Sequence, residues 1–263
     1  MRLFWEVTKR AFRRNLTYRA AAVAGLVTNM FFGLVRASVL IALYGQQQSV
    51  AGYSVQDAVT YTGLTQALIV YLGVFGWWDL MTSVYRGDVA TDLLKPMSLL
   101  RFWLAQDAGR SAVAFLLRGV TIMLAYAMFF DISVPRGAWQ WLAFGVALVL
   151  SWLLSFAYRF LVNLAAFWSP DARGIGRFAF MIVMFFSGFL MPLRFLPEWV
   201  QHIAHLTPFP HMLNTVVEVY LGVLTGPEVV RALLMQAAWA VALLAVAQFV
   251  LTRATRRLVI QGG

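Results

Sequence analysis

Six apolar runs divide this chain, at residues 20–44, 58–78, 111–130, 139–168, 178–191 and 229–251. Apolar runs of about 18 residues or more are long enough to cross a bilayer, and the backbone inside it must satisfy its own hydrogen bonds. The expected fold is therefore all-α: a polytopic integral membrane protein with six transmembrane helices, in one domain over residues 1–263. The fourth run exceeds what a bilayer needs, so its inner end is expected to project into the cytoplasm. The fifth is short unless its helix starts inside GIGRF, near Gly174. Composition agrees: 61% of residues are hydrophobic and 12% charged, where a soluble domain carries about a quarter charged.

The net charge of +10 raises nucleic acid as a partner, but the placement of the cations argues against it. Arg2, Lys9, Arg10, Arg13, Arg14 and Arg19 precede the first run. Arg86, Lys95, Arg101 and Arg110 lie between the second and third; Arg159, Arg173 and Arg177 surround the junction of the fourth and fifth. Arg253, Arg256 and Arg257 follow the last, and only Arg136, Arg194 and Arg231 fall on the opposite side. The positive-inside rule then places both termini in the cytoplasm. The surplus also attracts lipid headgroups. Without cysteine, no disulfide, thiolate metal site or cysteine nucleophile can form. No cleavable signal is evident, because the N-terminus is basic and amphipathic rather than basic and then continuously apolar.

On a helical wheel, Phe4, Trp5, Thr8, Ala11, Phe12 and Leu16 share one side and Arg2, Glu6, Lys9, Arg10, Arg13 and Arg14 the other. Residues 1–19 are thus expected to lie along the inner leaflet as an interfacial helix. The loop at 45–57 has no Lys or Arg and fits the outer face, as does the turn at 131–136. SPDARGIGR, 169–177, reads as a compact inner turn.

Two segments stand apart. RGDVATDLLKPMS, 86–98, is a charged island between apolar runs that reads as a short inner helix. Asp88 can cap its start, Asp92 sits near the positive end of the dipole, Lys95 sits late and Pro96 ends it. Leu93 and Leu94 would be exposed unless another protein docked there; an ordinary inter-helix loop is the competing reading. The region 192–227 holds Pro192, Pro197, Pro208, Pro210 and Pro227, so it cannot be one helix. Its two amphipathic pieces, one with Trp199, Val200, Ile203 and Leu206 and one with Met212, Val216 and Tyr220, are each too short to span. They should form a structured outer cap that dips in and returns or lies along the outer face.

Chemistry-bearing patterns are few. Neither lysine, Lys9 or Lys95, follows glycine, so the phosphate-cradling loop of an ATPase is absent. His202, His205 and His211 with Glu198 and Glu218 can be drawn as a metal site, but interfacial polar residues are the better account. Ser187-Gly188 is not a nucleophile elbow, so a membrane hydrolase is weakly supported. Arg36 and Arg118 inside the first and third runs are functional candidates by default, with pairing or snorkelling favoured over substrate contact. Asn163, Ser151 and Ser155 suit hydrogen bonds between helices. No acidic residue lies deep in any run, and Asp79 is at an end, so a carboxylate proton relay is unsupported. A secondary, ion-coupled transporter and an intramembrane enzyme stay open as alternatives.

With FRRNLTYRAA (12–21), GDVATDLLKPMS (87–98) and the stretch from FFSGFLMPLRFLPEWV through TPFPHMLNTVVEVYLG (185–222), the chain resembles permease subunits of ABC-2 type exporters. The resemblance covers nearly the whole chain. It is closest to bacterial permeases of about this length whose relatives are linked to drug or viologen export. The resemblance implies a dimer with the same or a paralogous permease, resting on two P-loop ATP-binding subunits that carry ATP and magnesium; this chain binds no cofactor itself. It implies a connecting helix at 1–19 and a coupling helix of Arg86, Asp88, Asp92, Leu93, Leu94, Lys95 and Pro96 seated in the ATPase. It also implies re-entrant helices over 192–227, with Pro192, Pro197, Trp199, Pro208 and Pro210 as outer gate candidates. Unlike larger members, this chain has no soluble outer domain, which argues against a bulky polymer. The substrate is expected to be an amphipathic or cationic small molecule, or a lipid.

Overall fold

The computed structural model describes residues 1–17, 19–169 and 171–257. Tyr18, inside the FRRNLTYRAA motif, and Pro170, inside the expected turn at 169–177, lie outside the described residues. Helices account for nearly all of the regular structure; the exception among the described residues is a two-stranded ladder of Ser49–Val50 with Tyr53–Ser54.

The first helix, α1 (Arg2–Thr17), packs along α6 (Leu99–Ala114). The two backbones approach so closely at Gly109 that a β-carbon there would sit 2.4 Å from the Thr8 carbonyl oxygen and 2.7 Å from the Phe12 amide nitrogen. Backbone cannot yield as a flexible side chain can. Gly109→Ala is therefore expected to lift α1 from α6 at a cost of about 1–3 kcal/mol. Hydrogen exchange should show faster exchange across 2–17 and none across the last helix; unchanged protection of α1 would refute the close contact.

Helix α2 (Arg19–Tyr44) leaves Val27, Phe31, Val35 and Val39 exposed along one side, a face that suits lipid or another helix. Helix α3 (Val55–Leu72) is its opposite: every residue from Ala58 to Ile69 is buried. It starts in a capping box, in which the Ser54 side chain and Asp57 exchange hydrogen bonds with each other's backbone. It ends at Leu72, short of the expected 78. Gly73 enters the left-handed region at φ 65°, and its amide and that of Val74 turn back onto the carbonyls of Ile69 and Val70.

After α4 (Asp79–Arg86) and α5 (Val89–Leu93), α6 begins at Leu99, capped by the Ser98 hydroxyl, which accepts from the Arg101 amide at 3.4 Å. A π-turn at Phe115–Gly119 carries it into α7 (Val120–Phe129), making one helix of 31 residues over Leu99–Phe129. The expected run at 111–130 thus starts too late: nothing between the Ser98 cap and Ser111 breaks the helix, although Arg101, Gln106, Asp107 and Arg110 interrupt its hydropathy. Helix α3 packs on the π-turn, where Gly119 admits the Ala67 carbonyl to 3.2 Å of where a β-carbon would stand.

Helix α8 (Ala138–Leu164) continues through a 3₁₀ turn to Phe167. Helix α9 (Arg173–Phe186) starts one residue before GIGRF, so the expected turn at 169–177 is shorter, and the helix ends at Phe186 rather than 191. The prolines of 192–227 divide that stretch into a 3₁₀ turn at Leu193–Phe195, α10 (Glu198–His205), a 3₁₀ turn at Phe209–Met212 and α11 (Asn214–Leu221). The last helix, α12 (Pro227–Ala254), lies along α8.

Among the described residues, four helices are long and apolar enough to cross a membrane: Val23–Tyr44, Leu99–Phe129, Ala138–Phe167 and Pro227–Ala254. Helix α3 has 18 residues, but Gln56, Asp57, Thr60, Thr62, Thr65 and Gln66 reduce its hydropathy; α9 has only 14. One apolar core joins α3, α8 and α11 through Tyr61, Leu68, Phe144, Val216 and Val217. A second gathers Trp77, Phe102, Trp103, Phe156 and Phe160 near the start of α6.

Candidate functional site

The segment 79–98 is held on one side and bare on the other. Gly87, left-handed at φ 76°, ends α4, and Val89 is fully buried beneath α5. Asp88 does not cap α5 through its side chain. Its backbone is already helical at φ −61°, ψ −24°, whereas a capping residue needs an extended one to aim its carboxylate at the following amides. Its carbonyl instead accepts from the Thr91 hydroxyl at 2.7 Å. Asp92 is buried and takes the Lys95 ammonium at 2.5 Å, and that ammonium lies 3.6 Å from the centroid of the Phe102 ring. Pro96 follows the end of the helix, and Arg86 is exposed at the end of α4. The exposed residues of the segment include two apolar ones beside Asp88 and Thr91: Leu94 is 86% exposed and Leu93 38%.

Two turns into α6 lies a charged cluster that the sequence did not lead us to expect. Asp107 is buried and accepts from both guanidinium arms of Arg159 on α8, at 3.1 and 2.9 Å. Arg110 donates to it at 2.7 Å and Trp152 at 2.9 Å. Asp107, outside the expected run at 111–130, belongs to the longer helix Leu99–Phe129, two turns from its start. Arg159, expected near a cytoplasmic end, is only 2% exposed. The legible signal was the i, i+3 spacing of Asp107 and Arg110, together with an arginine inside the fourth apolar run.

This cluster also finishes α3. The last carbonyls of a helix lack partners within it, and Arg110 donates to those of Val70 at 2.7 Å and Tyr71 at 3.2 Å. The connection from α3 to α4 is pinned next to it: Asn163 donates to the Trp77 carbonyl at 2.7 Å and accepts from the Met81 amide at 2.9 Å. Three helices and one loop therefore meet at Asp107, Arg110, Arg159 and Asn163. The 79–98 segment leads directly into α6, which carries Asp107 and Arg110.

At the other end of the bundle, Arg36 of α2 donates to Thr65 at 3.2 Å and to the carbonyls of Phe189 and Leu190 at 2.5 and 2.9 Å. Its guanidinium also lies 4.9 Å from the Phe189 ring centroid. Arg36 thus ties α2 to the chain that leaves α9. Arg118 sits in the π-turn beneath Gly25, where an added β-carbon would meet its guanidinium at 2.7 Å. The Tyr61 hydroxyl bridges the Gly188 carbonyl at 2.6 Å and Asn214 at 3.0 Å. Gly188 is left-handed at φ 80°, and a β-carbon there would lie 2.5 Å from the Tyr61 oxygen.

The prolines do what their chemistry dictates in this segment. Pro192 precedes a 3₁₀ turn, Pro197 precedes α10, and Pro208 and Pro210 flank the start of the turn Phe209–Met212. Trp199 is 66% exposed on α10. Glu218 accepts from Tyr53 at 3.0 Å and Arg194 at 2.9 Å, and His211 pairs with Thr215 at 3.1 Å. Burial, with a smaller effect from His205, lowers the His211 pKa to about 4, so its imidazole is neutral. Among the described residues no three His, Asp or Glu side chains are grouped to hold a metal.

A model of the family described as ABC-2 family transporter protein matches residues 31–262. The chain belongs to the ABC-2 transporter family. A comparison with curated proteins gave no match. As an ABC-2 protein it is a multi-pass membrane transport component, of a kind that carries no ATPase of its own. The matched stretch takes in the 79–98 segment, the Asp107 cluster and the 187–222 segment of this ABC-2 chain; α1 precedes it.

Proposed function

We propose that this chain is the membrane-spanning permease subunit of an ATP-driven exporter in the cell inner membrane. In this reading α3 and α9 complete six crossings with the four long helices, and both termini are cytoplasmic. At helical rise α3 reaches about 27 Å, near the thickness of the hydrocarbon core. Its polar side chains are covered by protein rather than lipid, so its modest hydropathy is no obstacle. Helices α10 and α11, at about 12 Å each, are re-entrant pieces that close the outer side. A second permease chain, identical or paralogous, and ATP-binding subunits that hold ATP and magnesium complete the transporter. The substrate is an amphipathic or cationic small molecule, or a lipid.

The observation that carries this reading is the asymmetry of α5. Val89 and Asp92 anchor one side, while Leu93 and Leu94 are offered to a partner. Movement of α5 reaches α6 through the short link 94–98, and α6 is locked to α3 and α8 through Asp107. Closure of the ATPase would then move α3 and α8 as rigid bodies. An ion-coupled carrier would need a carboxylate free to bind its ion, and both oxygens of Asp107 are already taken. Affinity purification from native membranes tests the proposal. It should recover a chain with a phosphate-binding loop in about equal amount; recovery of the permease without any ATP-hydrolysing companion would refute it.

A further inference from the structure

A groove runs between α1 and the start of α6, with a volume of about 380 Å³. That lies in the range of small-ligand sites. Leu3, Val7 and Phe102 line it with apolar surface, and Arg10, Arg14 and Lys95 line it with charge. Asp92 already neutralises Lys95, and the Arg14 guanidinium donates to Gln106 at 3.1 Å. The one acid of α1, Glu6, bonds Lys9 at 3.2 Å, and Arg10 has no ion-pair partner among the described residues. Arg10 and Arg14 stand one turn apart on α1, so both guanidinia border the same groove.

An occupant that fits this arrangement has an anionic head and an apolar body. We propose that the groove binds one anionic phospholipid, with its phosphodiester between Arg10 and Arg14 and an acyl chain along Leu3 and Val7. Guanidinium forks match phosphate oxygens better than ammonium groups do. An acidic protein segment would satisfy the arginines but would not need the apolar floor. The lipid would fix the angle between α1 and α6, whose backbones touch at Gly109. That the lipid comes from the cytoplasmic leaflet rests on the proposed function; the binding itself does not.

The test uses the full chain purified in detergent and read by native mass spectrometry. The probes are phosphatidylglycerol and phosphatidylcholine with identical acyl chains. The wild type should retain one phosphatidylglycerol and prefer it about thirtyfold, from two arginines near a headgroup. Arg10→Gln with Arg14→Gln should abolish the preference. Arg2→Gln with Arg13→Gln, which removes equal charge from α1 away from the groove, should leave it intact. Val7→Trp, which fills the floor without changing charge, should weaken both lipids. Equal binding of the two lipids by the wild type overturns the proposal, as does a preference that survives Arg10→Gln with Arg14→Gln. Loss of preference in the Arg2 and Arg13 variant would reduce the effect to general surface charge and also overturn it. If the Arg10 and Arg14 variant keeps its lipid but no longer co-purifies an ATPase, the groove is a protein-docking surface instead.

Discussion

Asp107→Asn is expected to destabilise the protein by about 3–5 kcal/mol, the usual cost of breaking a buried ion pair from one side. Asparagine keeps the shape and can still accept from Trp152, but it leaves Arg159, 2% exposed, without its paired carboxylate. Arg110 loses the same partner while still reaching for the carbonyls of Val70 and Tyr71. Damage should therefore spread along two routes. Hydrogen exchange should speed up at the C-terminal turn of α3 and in the loop 73–78, and the thermal midpoint in detergent should fall by several degrees. Adding Arg159→Met should recover part of the loss, because replacing buried charges with apolar groups is often neutral once none is stranded. A midpoint for Asp107→Asn within a degree of wild type would show that the cluster does not hold these helices together.

Leu94→Asp should do the reverse, leaving the fold intact and removing function. The side chain is 86% exposed, so the folded state loses little, and surface changes of this kind usually stay within about 0.5 kcal/mol. In a complex, however, the leucine would be a central apolar anchor, and a carboxylate there would be buried without a partner. A loss of about 2 kcal/mol or more is expected, roughly thirtyfold in affinity for the ATP-binding subunit. Permease-stimulated ATP hydrolysis should fall with it. Asp88→Lys is a useful companion, since the Asp88 side chain is exposed and does not cap α5. Asp92→Lys is not: Asp92 holds Lys95, so its loss would disturb the segment itself. Undiminished association with Leu94→Asp would mean that another surface receives the partner.

The apolar runs at the two ends of the chain and the fourth run map closely onto helices, because long lipid-facing helices show their character in composition alone. The middle of the molecule was harder to read. Helix α3 is legible as the run 58–78 despite Thr60, Thr62, Thr65 and Gln66, which protein covers, but its end at Gly73 was missed because apolar residues continue past the turn. The start of α6 was missed for the opposite reason: Asp107 and Arg110 look like loop residues until Arg159 is known to lie beside them. That pairing spans 52 residues of sequence, and nothing local announces it. Arg36 was marked as an intramembrane charge, but besides the Thr65 hydroxyl its partners are backbone carbonyls up to 154 residues away, which no side-chain pattern encodes. Asp88 shows the limit of motif reading at short range: the residue type suits a cap, but its dihedral angles do not.

The most direct test of the account places a photo-crosslinking amino acid at position 94 and, separately, at position 199, with the transporter assembled in native membranes. Leu94 and Trp199 are both well exposed, but they occupy segments assigned to opposite faces of the bilayer. Position 94 should cross-link to an ATP-hydrolysing subunit, with the yield changing when nucleotide is added, and position 199 should not. A cross-link to that subunit from position 199, or labelling of position 94 by a reagent confined to the periplasmic side, would contradict the account.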